Sequence, residues 1–365
     1  MMTERTETKL LIAGGGTGGH IFPAIALAEE FLKRAEGNQV LFVGTERGLE
    51  SKILPSRGYR LETINVSGLK GKGFWNGLAA LKRIPGSMAQ SRSIIKEFEP
   101  NVVLGVGGYA SGPTVFAAQF MGVPTAITEQ NASPGMANTI LGRFVNRIFV
   151  SFEETKVWFP IRRVLFTGNP VRSGFVSSVP KHRVGDEPFT VLVFGGSQGA
   201  SAINHAVVAA LPYLSDLKGS IRIIHQTGTA ELEEVARGYH DQGMDAEILP
   251  FIDDMSAAYE KADLLVCRAG ATSIAEITAM GKAALLIPFP HAAGDHQVLN
   301  ARALVKQGAA EMLEQKDCTG ESLAMHIRDL YGDPNRLKTM ETASKAMGNP
   351  DAAKVIVDRC LEIAR

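Results

Sequence analysis

At 365 residues the chain is too long for one ordinary core and fits two domains of ~150–200 residues each. Its 45% hydrophobic and 21% charged residues form a globular balance, and a net charge of zero excludes a global field drawing it onto nucleic acid. Three scattered cysteines, Cys267, Cys318 and Cys360, show no C-x-x-C spacing, which argues against a disulfide framework or zinc site and for a reducing compartment. The N-terminus, MMTERTETKLLIAGGG, lacks a signal-peptide layout, and no stretch reaches the ~18 apolar residues of a spanning helix. A cytoplasmic protein with peripheral membrane contact at most is expected.

Along the chain, short apolar runs alternate with helix-length amphipathic stretches. The first half contains Leu10–Ala13, Val40–Val43, Val102–Val106, Thr125–Thr128 and Arg147–Ser151. The second contains Val191–Phe194, Arg222–His225, Ala262–Cys267 and Ala283–Pro288. Such runs read as strands covered by helices on both faces, and the alternation predicts parallel sheets with right-handed crossovers. An internal echo supports two Rossmann-like α/β domains in tandem: Leu10–Ala13 runs into GGGTGG, and Val191–Phe194 runs into GGSQGA. Asn169-Pro170-Val171-Arg172 precedes a stretch of little apolar periodicity, so the linker is placed near 170–175, dividing the chain into 1–172 and 173–347. From 348 to 365 a closing helix is expected, with Asn349 as N-cap, Pro350 in its first turn, and Ala352, Ile356, Cys360 and Ile363 on one face. That face could dock back on the first domain.

Both glycine loops follow a strand and precede a helix, where backbone N–H groups and the helix dipole favour phosphate. Gly14-x-Gly16-x-x-Gly19 satisfies the dinucleotide fingerprint, with Glu46 after the second strand as the ribose acid. A tight turn in any α/β domain reads equally well. His20, in the first helical turn, is placed over the crevice at the strand C-termini. Gly195-x-Ser197-x-Gly199 matches the nucleophile elbow of α/β-hydrolases, and Asp295 and His296 follow in the right order. Those two are chain neighbours on one loop, however, and a hydrolase does not begin with a duplicated domain. A third run, Gly105–Gly112, and the segment Glu129-Gln130-Asn131 bring further loops to the same edge of the first sheet.

In the second half Asp253 or Asp254 can cap a helix. Glu276, one turn inside another, suits either the vicinal hydroxyls of a ribose or the helix dipole. No D-x-D motif or metal-ligand spacing occurs, so no metal or cofactor is expected. The charge of a departing diphosphate would fall to backbone N–H groups, a helix dipole and an arginine. Arg172 is the candidate, with a surface ion pair as the alternative reading.

From Thr63 to Lys96 there is no acidic residue but six basic ones. Lys70, Lys72, Lys82 and Arg83 alternate with Phe74, Trp75, Leu78 and Leu81, a mixture suited to an anionic membrane surface. Nucleic acid is disfavoured by the neutral overall charge and the lack of clustered stacking aromatics.

The motifs GGGTGGH, GVGGYASGP, ITEQNASPG, GNPVR, GGSQGA, FIDDM, CRAGATSIAEI and PFPHAAGDHQVLNA, in this order, resemble the MurG family over nearly the whole chain. These are bacterial GT-B glycosyltransferases of family 28, which transfer N-acetylglucosamine to a lipid-linked muramoyl-pentapeptide in peptidoglycan synthesis. The resemblance implies two Rossmann-like domains facing a central cleft and a hexosyltransferase at the cytoplasmic face of the bacterial cell membrane. It also implies a role in cell-wall biogenesis, cell shape and division, with other wall-synthesis and division proteins as partners. Carried over by motif, the UDP-GlcNAc site comprises Thr17, Gly18, Gly19, Asn131, Arg172, Ser197, Ile252, Ala271, Thr272, Ser273, Glu276, Gln297 and Asn300. The acceptor site comprises Gly107, Gly108, Tyr109 and Ser111, and His20 is the expected general base, with Glu129 second. The chain departs from the family at Thr272-Ser273, where Leu-Thr is common, and at His296, where glutamine is common. Two rival readings are a UDP-GlcNAc 2-epimerase, which needs no basic apolar segment, and a nucleotide-sensing protein, which leaves the second loop unexplained.

Overall fold

The computed structural model describes residues 7–66, 74–177, 187–196 and 198–364, with residues 74–84 and Ala293 described by backbone alone. The chain forms two compact units, Met1–Arg172 with Pro350–Arg365, and Ser173–Asn349.

Among the described residues, the first unit carries a seven-stranded sheet. Its strands are β1 (Lys9–Gly14), β2 (Gln39–Gly44), β3 (Arg60–Thr63), β4 (Val102–Gly107), β5 (Thr125–Glu129), β6 (Arg147–Val150) and β7 (Val164–Phe166). They lie in the order β3-β2-β1-β4-β5-β6-β7, and every pair is parallel. The period of two sorts β1 between two cores. Leu10 and Ile12 face Ile25, Phe31 and Phe42, whereas Leu11 and Ala13 face Val43, Val103 and Ile127. This double burial is why the strands read as unbroken apolar runs.

The second unit has a six-stranded parallel sheet among its described residues. Its strands are β8 (Phe189–Phe194), β9 (Ile221–Gln226), β10 (Ala246–Leu249), β11 (Leu264–Cys267), β12 (Ala283–Leu286) and β13 (Glu311–Met312), ordered β10-β9-β8-β11-β12-β13. Val191 and Val193 pack with Ile203, Val207, Ile223 and Val266 in its main core.

The helix Ala352–Ile363 belongs to the first unit. Ile356, Val357 and Cys360 are buried in the same core as Leu10, Ile25 and Phe31, and Arg34 bridges to Asp358 at 2.9 Å. Each such apolar side chain contributes roughly 1.5–3 kcal/mol through burial. The expected cap is corrected: Asp351 occupies the N-cap position, and the Asn349 amide turns back to donate to the Met347 carbonyl at 3.0 Å. Asn349 thus closes the preceding helix, Pro334–Met347, rather than opening the next. Among the described residues no helix is long and apolar enough to cross a membrane.

Candidate active site

In a parallel sheet, ligands gather where strands end and helices begin. In the first unit β1, β4 and β5 end side by side there. Gly15 N–H donates to the Gly107 carbonyl at 3.2 Å, joining the first glycine loop to the third. A Cβ on Gly107 would stand 2.8 Å from the His20 ring, and one on Gly108 would stand 2.2 Å from the Gly15 carbonyl oxygen. Both also take a positive φ, 92° and 82°, and close approach and this backbone together require glycine at the two positions.

His20 lies in the first turn of the helix Gly18–Leu32, half-buried, with Nδ1 3.1 Å from the Gly15 carbonyl oxygen and 3.4 Å from Thr17 Oγ1. A carbonyl can only accept, so the first contact puts the proton on Nδ1. In the neutral ring the lone pair then falls on Nε2. Thr17, at the N-cap position, is exposed, and Gly18 and Gly19 are partly so. Tyr109 is 54% exposed, but Ser111 is buried, its hydroxyl lying where a side chain on Gly105 would be.

Glu129, at the end of β5, is buried, and donors surround both its oxygens. Oε1 accepts from Asn131 N–H at 3.0 Å and from the Asn131 amide at 3.3 Å, and Oε2 from Gly135 N–H at 3.0 Å and Asn138 at 2.9 Å. The carboxylate folds the loop that carries Asn131. The Arg172 guanidinium lies 4.8 Å from the centre of the Phe22 ring, two residues beyond His20 in sequence.

In the second unit β8 leads through Gly195, Gly196 and Gly199 into the helix Ser201–Ala210. Ser197 lies outside the described residues. The loop borders a cavity of about 510 Å³ that is also lined by Arg268, Gly270, Ser273, Phe289, Gln297 and Gln315. Gln226, buried at the end of β9, donates to the Gly196 carbonyl at 2.7 Å and accepts from Ile252 N–H at 3.0 Å. It ties the glycine loop to the FIDDM segment, where Ile252 is buried and Asp254 caps the helix Met255–Lys261 through Ala257 N–H at 3.1 Å.

The helix Ala271–Met280 opens at Gly270 with no side-chain cap and no acid in its first turn, so its positive end is available to an anion. Ala271, Thr272 and Ser273 form that turn. Glu276 is buried next to Cys267, and burial, with the Glu276 charge second, holds the Cys267 thiol well above its ordinary range. Gln297 accepts from Phe289 N–H at 2.9 Å, and buried Asn300 donates to the Ala269 carbonyl at 3.2 Å.

Arg268 was not among the residues expected from sequence. It is 9% exposed, directly after β11, and donates to the Ile287 and Pro288 carbonyls at 3.1 and 3.3 Å and to Gln315 Oε1 at 2.7 Å. Its guanidinium lies 5.3 Å from the Phe289 ring centre, and burial lowers its pKa from the usual guanidinium range. A cation straight after a fully buried strand was the available signal.

For the basic segment, Lys70 and Lys72 lie outside the described residues. Phe74, Trp75, Leu78, Leu81, Lys82 and Arg83 fall on the helix Phe74–Phe98, where their side chains are not described.

Residues 10–150 match the glycosyltransferase family 28 N-terminal domain, and residues 190–356 match the family 28 C-terminal domain. A UDP-N-acetylglucosamine–N-acetylmuramyl-(pentapeptide) pyrophosphoryl-undecaprenol N-acetylglucosamine transferase from Syntrophus aciditrophicus is 55% identical over 98% of this chain and 99% of its own. The transferase of the same name from Myxococcus xanthus is 54% identical over 97% of this chain and 93% of its own. The solved structure of Acinetobacter baumannii MurG matches with a TM-score of 0.81 at 31% identity, covering 97% of this chain and 99% of that one. A UDP-GlcNAc 2-epimerase from Neisseria meningitidis, at 14% identity and a TM-score of 0.64, shares the fold alone. The two parallel-sheet units are those of a GT-B enzyme, and the chain belongs to glycosyltransferase family 28.

Proposed function

We infer that this chain transfers N-acetylglucosamine from UDP-N-acetylglucosamine to the 4-hydroxyl of undecaprenyl-diphosphate-N-acetylmuramoyl-pentapeptide, inverting the anomeric centre. The observation that carries this reading is the 55% identity, over nearly the full length of both chains, to a transferase whose name states the donor and acceptor.

In the reaction, the muramoyl hydroxyl gives its proton to His20 Nε2 as its oxygen attacks the anomeric carbon. The bond from that carbon to the diphosphate oxygen breaks, and UDP leaves. Imidazole is the side chain most often used as a general base in catalysis. The Gly15 carbonyl, by holding the Nδ1 proton, aims the lone pair of the neutral ring. UDP is received by the glycine loop at 195–200 and the N–H groups of Ala271–Ser273, with Arg268 as counter-charge. Ile252 lies against the uracil, Glu276 holds the ribose, and Gln297 and Asn300 hold the sugar. The segment at Gly107, Gly108, Tyr109 and Ser111 holds the acceptor.

Incubation with UDP-GlcNAc, with and without a short-chain lipid-linked muramoyl-pentapeptide, tests the reading. UDP release that depends on the acceptor is expected, whereas epimerised sugar without acceptor would identify an epimerase instead. His20→Ala should lower turnover at least about a hundredfold without matching loss of UDP-GlcNAc affinity. Turnover within a few-fold of wild type would remove His20 from the role.

The enzyme acts at the cytoplasmic face of the membrane as a peripheral protein. Support comes from Phe120, 79% exposed, and from the exposed Met136, Ile140 and Phe144 of the first unit. Phe116 packs on both Phe120 and Phe144, with ring centres 6.4 and 5.5 Å apart, and Arg143 is exposed alongside. The helix bearing Phe120, Ser111–Phe120, runs against the helix Phe74–Phe98 of the basic segment. Replacing Phe120 and Phe144 together with Ser should reduce co-sedimentation with phosphatidylglycerol vesicles while sparing UDP binding. Unchanged co-sedimentation would move the contact elsewhere.

A further inference from the structure

The first glycine loop carries the dinucleotide fingerprint, yet one of its amides already has an anion. Glu50, 0% exposed at the start of the helix Glu50–Ser56, reaches back so that its Oε2 accepts from Gly16 N–H at 2.7 Å. Its Oε1 accepts from Thr45 N–H and Thr45 Oγ1, both at 2.9 Å. The space for the carboxylate is made by missing side chains: a Cβ on Gly15, Gly44 or Gly48 would stand 2.4, 2.6 or 2.0 Å from Glu50 atoms. Glu46, which the fingerprint would make the ribose acid, is exposed.

We propose that Glu50 is a positioning residue for the transfer reaction, an internal carboxylate that takes the place of a phosphate in the first glycine loop and thereby fixes His20. The route is short. Glu50 holds Gly16 N–H, which fixes the Gly15–Gly16 turn. The Gly15 carbonyl, so fixed, accepts from His20 Nδ1 at 3.1 Å, and Gly15 N–H is anchored on Gly107. Two consequences follow from the same contact. The Gly16 amide is committed to the protein, so the loop does not bind a nucleotide diphosphate despite its sequence. The imidazole is held in one orientation and one tautomer by the Gly15 carbonyl. A buried carboxylate with three donors is a stiff anchor, because moving it would strand both charge and donors. The proposal rests on the reading of His20 as the base.

The test uses Glu50→Gln in the full-length enzyme, assayed with UDP-GlcNAc and the short-chain lipid-linked acceptor. The carboxamide keeps the volume but offers one accepting oxygen where three donors need two. Turnover should fall about tenfold or more, the scale expected when a reacting group is displaced by a fraction of an ångström to one ångström. The KM for UDP-GlcNAc should stay within about twofold, a split that general loosening of the fold would not produce. Gly48→Ala, which pushes a methyl group into the carboxylate without touching the loop, should show the same split and serves if the first variant folds poorly. In a His20→Ala background, Glu50→Gln should cause no further loss. Near wild-type turnover of both variants, or an equal loss in the His20→Ala background, would overturn the proposal while leaving His20 as base intact. Near wild-type turnover of His20→Ala itself would overturn the base assignment and the proposal with it.

Discussion

Arg268 and Glu276 flank the start and middle of the same helix-and-loop segment, and their chemistry separates their expected effects. Arg268→Met removes a positive charge beside the phosphate loop. It should weaken UDP by about 10- to 100-fold, the value of a charge-assisted contact of roughly 1.5–3 kcal/mol, and leave uridine unaffected in calorimetry. Glu276→Ala should instead weaken uridine, UDP and UDP-GlcNAc by the same factor. A loss confined to the sugar nucleotide would put Glu276 on the sugar. Glu276 was singled out in the sequence as a carboxylate one turn inside a glycine-led helix, and it is buried there. Arg268, whose one signal was a cation straight after an apolar run, and Glu50 were not singled out, because each is defined by partners that only folding brings close: carbonyls after β12 for one, an amide 34 residues earlier for the other.

A third residue sets a pH limit. His225 on β9 is fully buried, with Nε2 3.1 Å from Asn204 Oδ1 and Nδ1 3.1 Å from the Tyr239 hydroxyl. The Asn204 amide donates to the Thr227 carbonyl and to Glu231, which fixes its oxygen toward the ring. Burial lowers the His225 pKa from 6.5 to about 4. Between those values the unfolded chain binds the proton and the folded unit does not, so stability falls as pH drops from 6.5 to about 4. The full loss approaches about 3 kcal/mol, read as a falling denaturation midpoint of the second unit. His225→Gln should flatten this dependence.

At the scale of elements, the nine apolar runs read from the sequence all became strands, and the four strands that were missed are β3, β7, β10 and β13. These are the four edges of the two sheets. An edge strand pairs on one side only and keeps a wet face, so β3 reads Arg-Leu-Glu-Thr and β10 Ala-Glu-Ile-Leu, with no run to notice. Central strands announce themselves by double burial, and edges are supplied by tertiary pairing. The helix Ala352–Ile363 was legible by its apolar face, but its start was not, since the Asn349 side chain turns to the end of the preceding helix. Ile356→Ala should destabilise the first unit by about 2–5 kcal/mol, measured by urea unfolding, and leave UDP binding by the second unit unchanged.

For the whole molecule, two units with separate cores give two observables. Both tryptophans, Trp75 and Trp158, lie in the first unit, so their fluorescence reports its unfolding alone. Saturating UDP, at about a hundred times its Kd, should stabilise the second unit by roughly 2.7 kcal/mol in far-ultraviolet dichroism. The tryptophan transition should not follow. A tryptophan midpoint that moved equally with UDP would show the units unfolding as one.

The helix Ala352–Ile363 also orders events in time. Its residues complete a core begun at Leu10, yet they are translated only after the whole of Ser173–Asn349. Nascent domains generally fold from the N-terminus forward. Here the first unit leaves the ribosome with one wall of its core missing. The second unit emerges next with every strand it needs. Newly made enzyme should therefore finish its second unit before its first, and if the second unit binds the donor as proposed, ribosome-stalled chains that stop before Ala352 should retain UDP while their first unit stays sensitive to protease.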